Sequence, residues 1–433
     1  MKLSVFWFRR DLRLEDNTGL AAALCSGKPV LPLFIFDSNI TDELSPDDPR
    51  LSFIYKTISG INEQLLKKGS ALCVLTGDPL SEWKRLASNY DIGAVYLNKD
   101  YEPYAVQRDK DIENLLKSKG IPLVKFKDQV IFEEGEVLKP DGKPYTVFTP
   151  YKNRWLKKFS DTALPDTRVK EDLKNNYYKG PFLFPDIRDL TLIRSSIQVK
   201  PYDLSVIQEY HRYRDLPAAD RTSYLSPHLR FGTVSIRDIA RTASALNSTF
   251  LNELIWREFF MQILFHFPHV VTGNFKPDYD DIEWRNDERE FRKWCNGETG
   301  FPIVDAGMRQ LNETGNMHNR VRMIVAGFLC KDLLIDWRWG EAYFAGKLLD
   351  YELSSNNGNW QWAGGTGCDA AAYFRVFHPD TQQKRFDPHD EYVKRWLPDL
   401  GKSAYPQKMV DHDFARQRAI TTYKAGIRKT LYK

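Results

Sequence analysis

Four stretches of the 433-residue sequence set hydrogen-bonding, ionic and aromatic side chains at spacings that bring them together. In 251–260, LNELIWREFF, a helix puts Glu253, Trp256, Arg257 and Phe260 on one face at i, i+3, i+4 and i+7. A carboxylate and an arginine so placed often do no more than pair on a solvated surface. With an indole between them they also make a stacking platform flanked by hydrogen-bonding groups, which is how a protein holds a base extruded from a duplex. In 315–323, GNMHNRVRM, Asn319, Arg322 and Met323 share a face and Arg320 lies beside them. Asparagine and arginine contact bases and phosphates, and methionine supplies an adaptable apolar wall. His318 reads as a packed or solvated histidine without a catalytic role.

The other two stretches suit a bound ligand. Three hydroxyl side chains in TSYLS, 222–226, stand just before a predicted helix, where they can hold an anion at its N-terminus or simply cap it. DYELSSNNGNWQW, 350–362, reads as the end of a helix in an Asn- and Gly-rich turn. That turn leaves Asp350, Asn356, Trp360 and Trp362 in a loop that a flat ligand can approach closely. There are eleven tryptophans, and Trp256, Trp284, Trp294, Trp337, Trp339, Trp360, Trp362 and Trp396 all follow residue 250. A single buried tryptophan fills a core; so many beside charged residues raise a redox or stacking role.

The elements that must position these residues fall into two regions. Short apolar runs at 3–8, 30–36, 71–75, 94–97 and 121–125 alternate with amphipathic stretches such as 50–68 and 107–119. This pattern predicts an α/β domain, a doubly wound parallel sheet, over 1–130. The first turn carries RRDLRLEDN at 9–17 and no G-x-G-x-x-G, which disfavours an NAD-type site there. A Lys-, Pro- and Asp-rich connector is expected over 131–200, wrapped on the surface. Helical periodicity at 235–246, 251–267, 302–314, 317–335 and 340–353 predicts an all-α domain over 201–433.

Composition narrows the setting. A formal net charge of +4 is too small to mark a nucleic-acid binder by itself, so any such footprint must be local. The five cysteines are scattered and never form C-x-x-C, which argues against a disulfide framework or a metal site and for a reducing cytoplasm. Neither a leader peptide nor a membrane span is expected.

Taken together, TSYLSPHLRFG, NELIWREF, TGFPIVDAGMRQL, MHNRVRM, DWRWGEAYF and NNGNWQWAGGTGCDAAAYFRVFHP resemble the photolyase/cryptochrome family, in its order and over nearly the whole chain. The chain is most similar to the class I cyclobutane pyrimidine dimer photolyases of that family. The resemblance implies a helical domain holding bent FAD beneath a cavity that receives a flipped lesion. It implies FAD contacts at Tyr210, Thr222, Ser223, Tyr224, Leu225, Ser226, Phe250, Arg322, Asp350, Tyr351, Glu352 and Asn356, with Arg322 pairing Asp350 and Asn356 facing flavin N5. It implies an electron path through Trp360, Trp337 and Trp284, and contacts to lesion or DNA backbone from Arg214, Glu253, Trp256, Arg257, Asn319, Arg320, Met323, Trp362 and Gln382.

The implied chemistry is light-driven electron transfer from reduced FAD to the dimer, with Glu253 stabilising developing charge. UV-damaged DNA is then the partner, with a monomer and no obligate protein partner expected. Asn319 and Met323 stand where (6-4) enzymes carry histidines, which disfavours that substrate. Tyr104 and Ala105 stand where folate-holding members carry an acid; a deazaflavin, a second flavin or no antenna stay open. A blue-light receptor and a single-strand enzyme of the DASH type are the alternatives.

Overall fold

In a computed structural model, residues 2–169, 171–370 and 372–431 are described. Five strands, β1 (Leu3–Phe8), β2 (Val30–Asp37), β3 (Cys73–Gly77), β4 (Ile92–Asn98) and β5 (Leu123–Phe126), form one parallel sheet in the order β3-β2-β1-β4-β5. Every residue of β1 and β2 is buried, as expected for strands covered on both faces. Alternation sorts their side chains: Phe6, Phe8, Phe34 and Phe36 pack into one apolar layer, and Val5, Trp7, Leu33 and Ile35 into another. The helices Thr18–Leu24, Pro49–Leu66, Pro79–Asn89 and Pro103–Ser118 connect the strands. The last three each begin with proline at the first helical turn, where the missing N–H costs nothing.

The charged first turn is used internally. Arg9 pairs with Asp109, Arg10 with Asp100 at 3.0 Å and Arg13 with Asp128 at 2.6 Å. Arg237 joins the last pair, 2.9 Å from Asp128 and 3.1 Å from Asp16, with all these side chains nearly inaccessible. Several members have a second partner, Asp109 in Arg108, Arg10 in Glu102 and Asp128 in Arg237, so the buried charges form a network within this unit.

The compact units do not follow the linear partition. One unit comprises 1–136, 157–201 and 225–242; the other comprises 137–156, 202–224 and 243–433. The expected connector also contains a helix, Phe148–Asp161, whose Phe148, Tyr151 and Trp155 are buried. Its apolar residues recur at helical spacing, a signal masked by the polar residues around it.

In the second unit, the helices Ser248–His266, Glu288–Asn296, Pro302–Thr314, Asn319–Gly327, Trp337–Lys347 and Leu353–Gly364 surround a core that includes Trp294, Met308, Val325, Leu329, Trp337 and Trp360. The stretch expected to be one helix over 317–335 ends in a π-helical turn, Phe328–Asp332. No helix among the described residues is long and apolar enough to cross a membrane.

Candidate active site

Asn247 caps the Ser248–His266 helix by accepting from the backbone N–H groups of Thr249 and Phe250. The helix buries Phe250, Leu251, Leu254, Ile255 and Phe259, which leaves Glu253, Trp256 and Arg257 half buried. Trp256 stacks face to face on Phe148, with ring centroids 3.6 Å apart and planes 6° apart, and has Phe260 5.5 Å away. Phe148 is held by the same helix that sends Trp155 Nε1 to Glu258 Oε1 at 2.6 Å. Nothing local to 251–260 reveals Phe148.

Glu253 is paired with Arg214 at 2.7 Å. Burial raises the Glu253 carboxyl above its ordinary range, and the Arg214 charge partly offsets this. Arg214 also lies over the Tyr210 ring at 5.4 Å, and Tyr210 meets Phe250 edge-on at 5.0 Å. Arg257 turns elsewhere. Its Nε lies 3.1 Å from Glu352 Oε2, with the two side chains 12% and 5% exposed. A guanidinium expected to reach DNA is therefore committed to a buried carboxylate, because a charge that deep requires a partner.

Arg322 and Asp350 form the pair implied by the resemblance, at 2.9 Å, and Arg322 Nε donates to the Met317 carbonyl at 2.8 Å. Arg320 pairs with Asp215 at 2.6 Å, covers the Phe386 ring at 4.3 Å and has Nη1 3.7 Å from Met323 Sδ. His318 caps the Asn319–Gly327 helix through its ring, and burial pushes it down to about 4, so it is neutral at physiological pH. Asn319 begins that helix and Gln382 lies on the Pro379–Phe386 helix, half buried.

The Asn-rich stretch is not a turn. The preceding helix ends at Lys347, and a new one, Leu353–Gly364, carries Asn356, Trp360 and Trp362, closing on Gly365 at φ 86°. Asn356 and Asn357 do not bend the backbone because their amides are used between elements. Asn357 donates to the Val270 carbonyl at 2.9 Å; Asn356 Nδ2 donates to the Glu341 carbonyl at 3.0 Å and to its carboxylate at 2.9 Å. Gly358 suits the packing, since a Cβ there would lie 2.1 Å from the Phe260 ring. Glu341, whose carboxyl burial also raises, is a site residue that sequence reasoning missed.

Trp360 is buried edge-on to Phe344 at 5.0 Å and to Trp294 at 6.1 Å. Trp337 is fully enclosed, donates from Nε1 to Asn274 Oδ1 at 2.9 Å, and packs at Gly364, the end of the helix that carries Trp360. Trp284 is half exposed. In 222–226, Thr222 and Ser223 are half buried and Tyr224 takes a left-handed conformation at φ 49°, its hydroxyl donating to Asp220 at 2.6 Å. Leu225 and Ser226 open the Leu225–Phe231 helix, which belongs to the first unit. There, Ala105 is buried and the Tyr104 hydroxyl donates to Asp37 at 2.7 Å.

A parallel α/β unit and a helical unit with paired charges, a ring platform and buried tryptophans define a class of protein that comparison with known chains identifies. The family described as DNA photolyase matches residues 4–170, and the FAD binding domain of DNA photolyase matches residues 250–404. The chain belongs to the DNA photolyase family. It is 36% identical over 479 residues to a deoxyribodipyrimidine photo-lyase from Halobacterium salinarum, covering 98% of this chain and 99% of the relative. A bacterial class III photolyase from Agrobacterium tumefaciens matches with a TM-score of 0.86 at 32% identity, over 99% of this chain and 98% of that one. An archaeal photolyase from Sulfolobus tokodaii, solved with two FAD molecules, matches with a TM-score of 0.80 at 34% identity, over 98% of this chain and all, 100%, of that one.

The second unit's side chains fit FAD. Thr222 and Ser223 offer hydroxyls for phosphates, and the Arg322–Asp350 pair and the Asn356 amide offer polar contacts for a flavin ring edge. Ser354, buried two residues before Asn356, has a hydroxyl with no hydrogen-bond partner among the described residues, as a site awaiting a polar ligand would.

Proposed function

We propose that this chain splits cyclobutane pyrimidine dimers in DNA under light, and that Glu253 and Trp256 receive the dimer after it is flipped from the duplex. The Trp256–Phe148 stack, with the Glu253–Arg214 pair one turn away, carries this reading. A flat, rigid ring pair binds a planar substrate with little ordering cost, and a dimer, already poorly stacked, is cheaper to extrude than a normal base.

When bound, FAD supplies a light-driven one-electron donor. Glu253 holds the dimer's carbonyl and N3 edge and stabilises negative charge as it develops there. Burial raises its carboxyl while the Arg214 charge opposes the shift, so the pair sets how the group meets the dimer. Trp362 and Met323 wall the lesion. Arg214, Asn319, Arg320 and Gln382 make polar contacts to lesion or backbone, and Arg257 acts indirectly by orienting Glu352. Arg322, Asp350, Glu352, Tyr210, Phe250, Tyr351, Thr222, Ser223 and Tyr224 hold FAD, and Asn356 presents its amide to the flavin ring. Trp360, Trp337 and Trp284 relay an electron inward from the surface when the cofactor must be reduced.

The enzyme works as a monomer in the cytosol, and its five free cysteines suit a reducing compartment. The test is the loss of dimers from UV-irradiated oligothymidine by purified, reduced protein. Loss in near-UV or blue light and none in darkness is the expected result. Bound FAD without dimer loss in light would overturn the reading and favour a receptor.

A further inference from the structure

The rings around Trp284 continue past the proposed electron path. Trp284 sits edge-on to Tyr423, with centroids 5.6 Å apart. Tyr423, fully buried on the His412–Leu431 helix, stacks on Tyr373 at 6.0 Å and 7° and meets Tyr279 edge-on at 6.3 Å. Tyr373 and Tyr279 are half exposed. An oxidising equivalent reaching Trp284 thus has two resting places: the indole itself, or a tyrosine reached through Tyr423.

The second exit is blocked by charge. Lys331, on the π-helical turn, is 2% exposed and holds its ammonium 3.7 Å from the centre of the Tyr423 ring. A cation against a ring face attracts the neutral ring and opposes its becoming positive. Lys331 Nζ and the Tyr423 hydroxyl both donate to one acceptor, the Gly364 carbonyl, at 2.8 and 2.7 Å. A peptide carbonyl is no base, so the phenol has no group to take its proton on oxidation, and burial holds that proton well above its ordinary range. Burial pulls the Lys331 ammonium down to about 7, while the carbonyl and the ring face favour its charged form.

We propose that Lys331 is a positioning residue for the oxidising equivalent: its cation over Tyr423 insulates the Tyr423–Tyr373 stack and confines oxidation to Trp284. This rests on the reading of Trp360, Trp337 and Trp284 as the electron path. With FAD bound as the light-driven oxidant, Trp284 would give up one electron along that path, and a thiol in solution would return one, losing its proton to water and becoming a thiyl radical. Without the cation, Tyr373 gives one electron through Tyr423 to oxidised Trp284 and its phenolic proton to water.

The experiment is transient absorption and electron paramagnetic resonance of the FAD-loaded protein after a flash. Wild type should show a tryptophanyl radical and no tyrosyl radical. Lys331→Gln should show a tyrosyl radical growing as the tryptophanyl signal decays, and adding Tyr423→Phe should abolish it. In the wild-type background Tyr423→Phe alone should leave the tryptophanyl yield and lifetime unchanged, a test that stands if the Lys331 variant fails to fold. A tyrosyl signal in wild type, a folded Lys331→Gln protein with only the tryptophanyl signal, or a changed lifetime in Tyr423→Phe overturns the proposal. Unimpaired radical formation in Trp284→Phe would instead overturn the path itself.

Discussion

The Asn356 amide nitrogen is held by one residue twice, through the backbone carbonyl and the carboxylate of Glu341. That grip fixes which way the amide faces and places a half-buried, ionisable group directly behind a residue proposed to meet the flavin. Burial raises the Glu341 carboxyl, with the Asn356 hydrogen bond opposing.

The pH consequence has a definite sign. The folded state holds the Glu341 proton to a higher pH than the unfolded chain, where it is lost at about 4.3. Glu341 therefore costs stability only above the ordinary carboxylate range, and the cost grows until the raised folded value is passed. Thermal unfolding of Glu341→Gln against wild type should show the variant gaining relative stability as pH rises from about 4 to about 7. A difference independent of pH would mean the carboxyl holds its proton equally well in the folded and unfolded chain.

Arg257 and Arg214 should separate cleanly on substitution. Arg257→Ala removes the cation beside the buried Glu352 carboxylate and should cost up to about 3–5 kcal/mol in chemical denaturation, with the salt dependence of DNA binding unchanged. Arg214→Ala, at a more exposed pair, should cost about 1 kcal/mol or less and weaken binding of dimer-containing DNA.

Phe148→Leu keeps an apolar filler but removes the stacked partner of Trp256. Stability should fall by about 0.5–1.5 kcal/mol beyond the area lost, and affinity for a dimer-containing oligonucleotide in darkness should fall with it. Unchanged affinity would show that Trp256 keeps its orientation without Phe148.

Gly340→Ala would set a methyl 2.1 Å from the Trp360 ring and 2.6 Å from Leu329. The indole must shift, at a cost of about 1–3 kcal/mol, and photoreduction should slow while repair by chemically reduced enzyme is retained. Flash photolysis and a repair assay on one preparation distinguish the two.

The sheet was readable because parallel strands covered on both faces must be continuous apolar runs, and β1 to β5 fall within a few residues of the expected spans. The Leu353–Gly364 helix was not. Ser355, Asn356, Asn357 and Gly358 locally prefer a turn, and packing of the helix against Phe260 at Gly358 overrides that preference. The Arg322–Asp350 pair came from the resemblance. Glu341 and Phe148 escaped because their partners lie on other elements, and the apolar spacing of Phe148, Tyr151 and Trp155 was the available signal.

The short excursion of 137–156 into the second unit has an evolutionary corollary. A fragment starting after residue 201 would carry every tryptophan proposed for repair and photoreduction yet lack Phe148 and Trp155, leaving Trp256 bare on one face and Glu258 without its indole donor. The two units are interleaved along the gene, so neither can be exchanged between relatives by a single recombination joint. They are expected to be inherited as one piece.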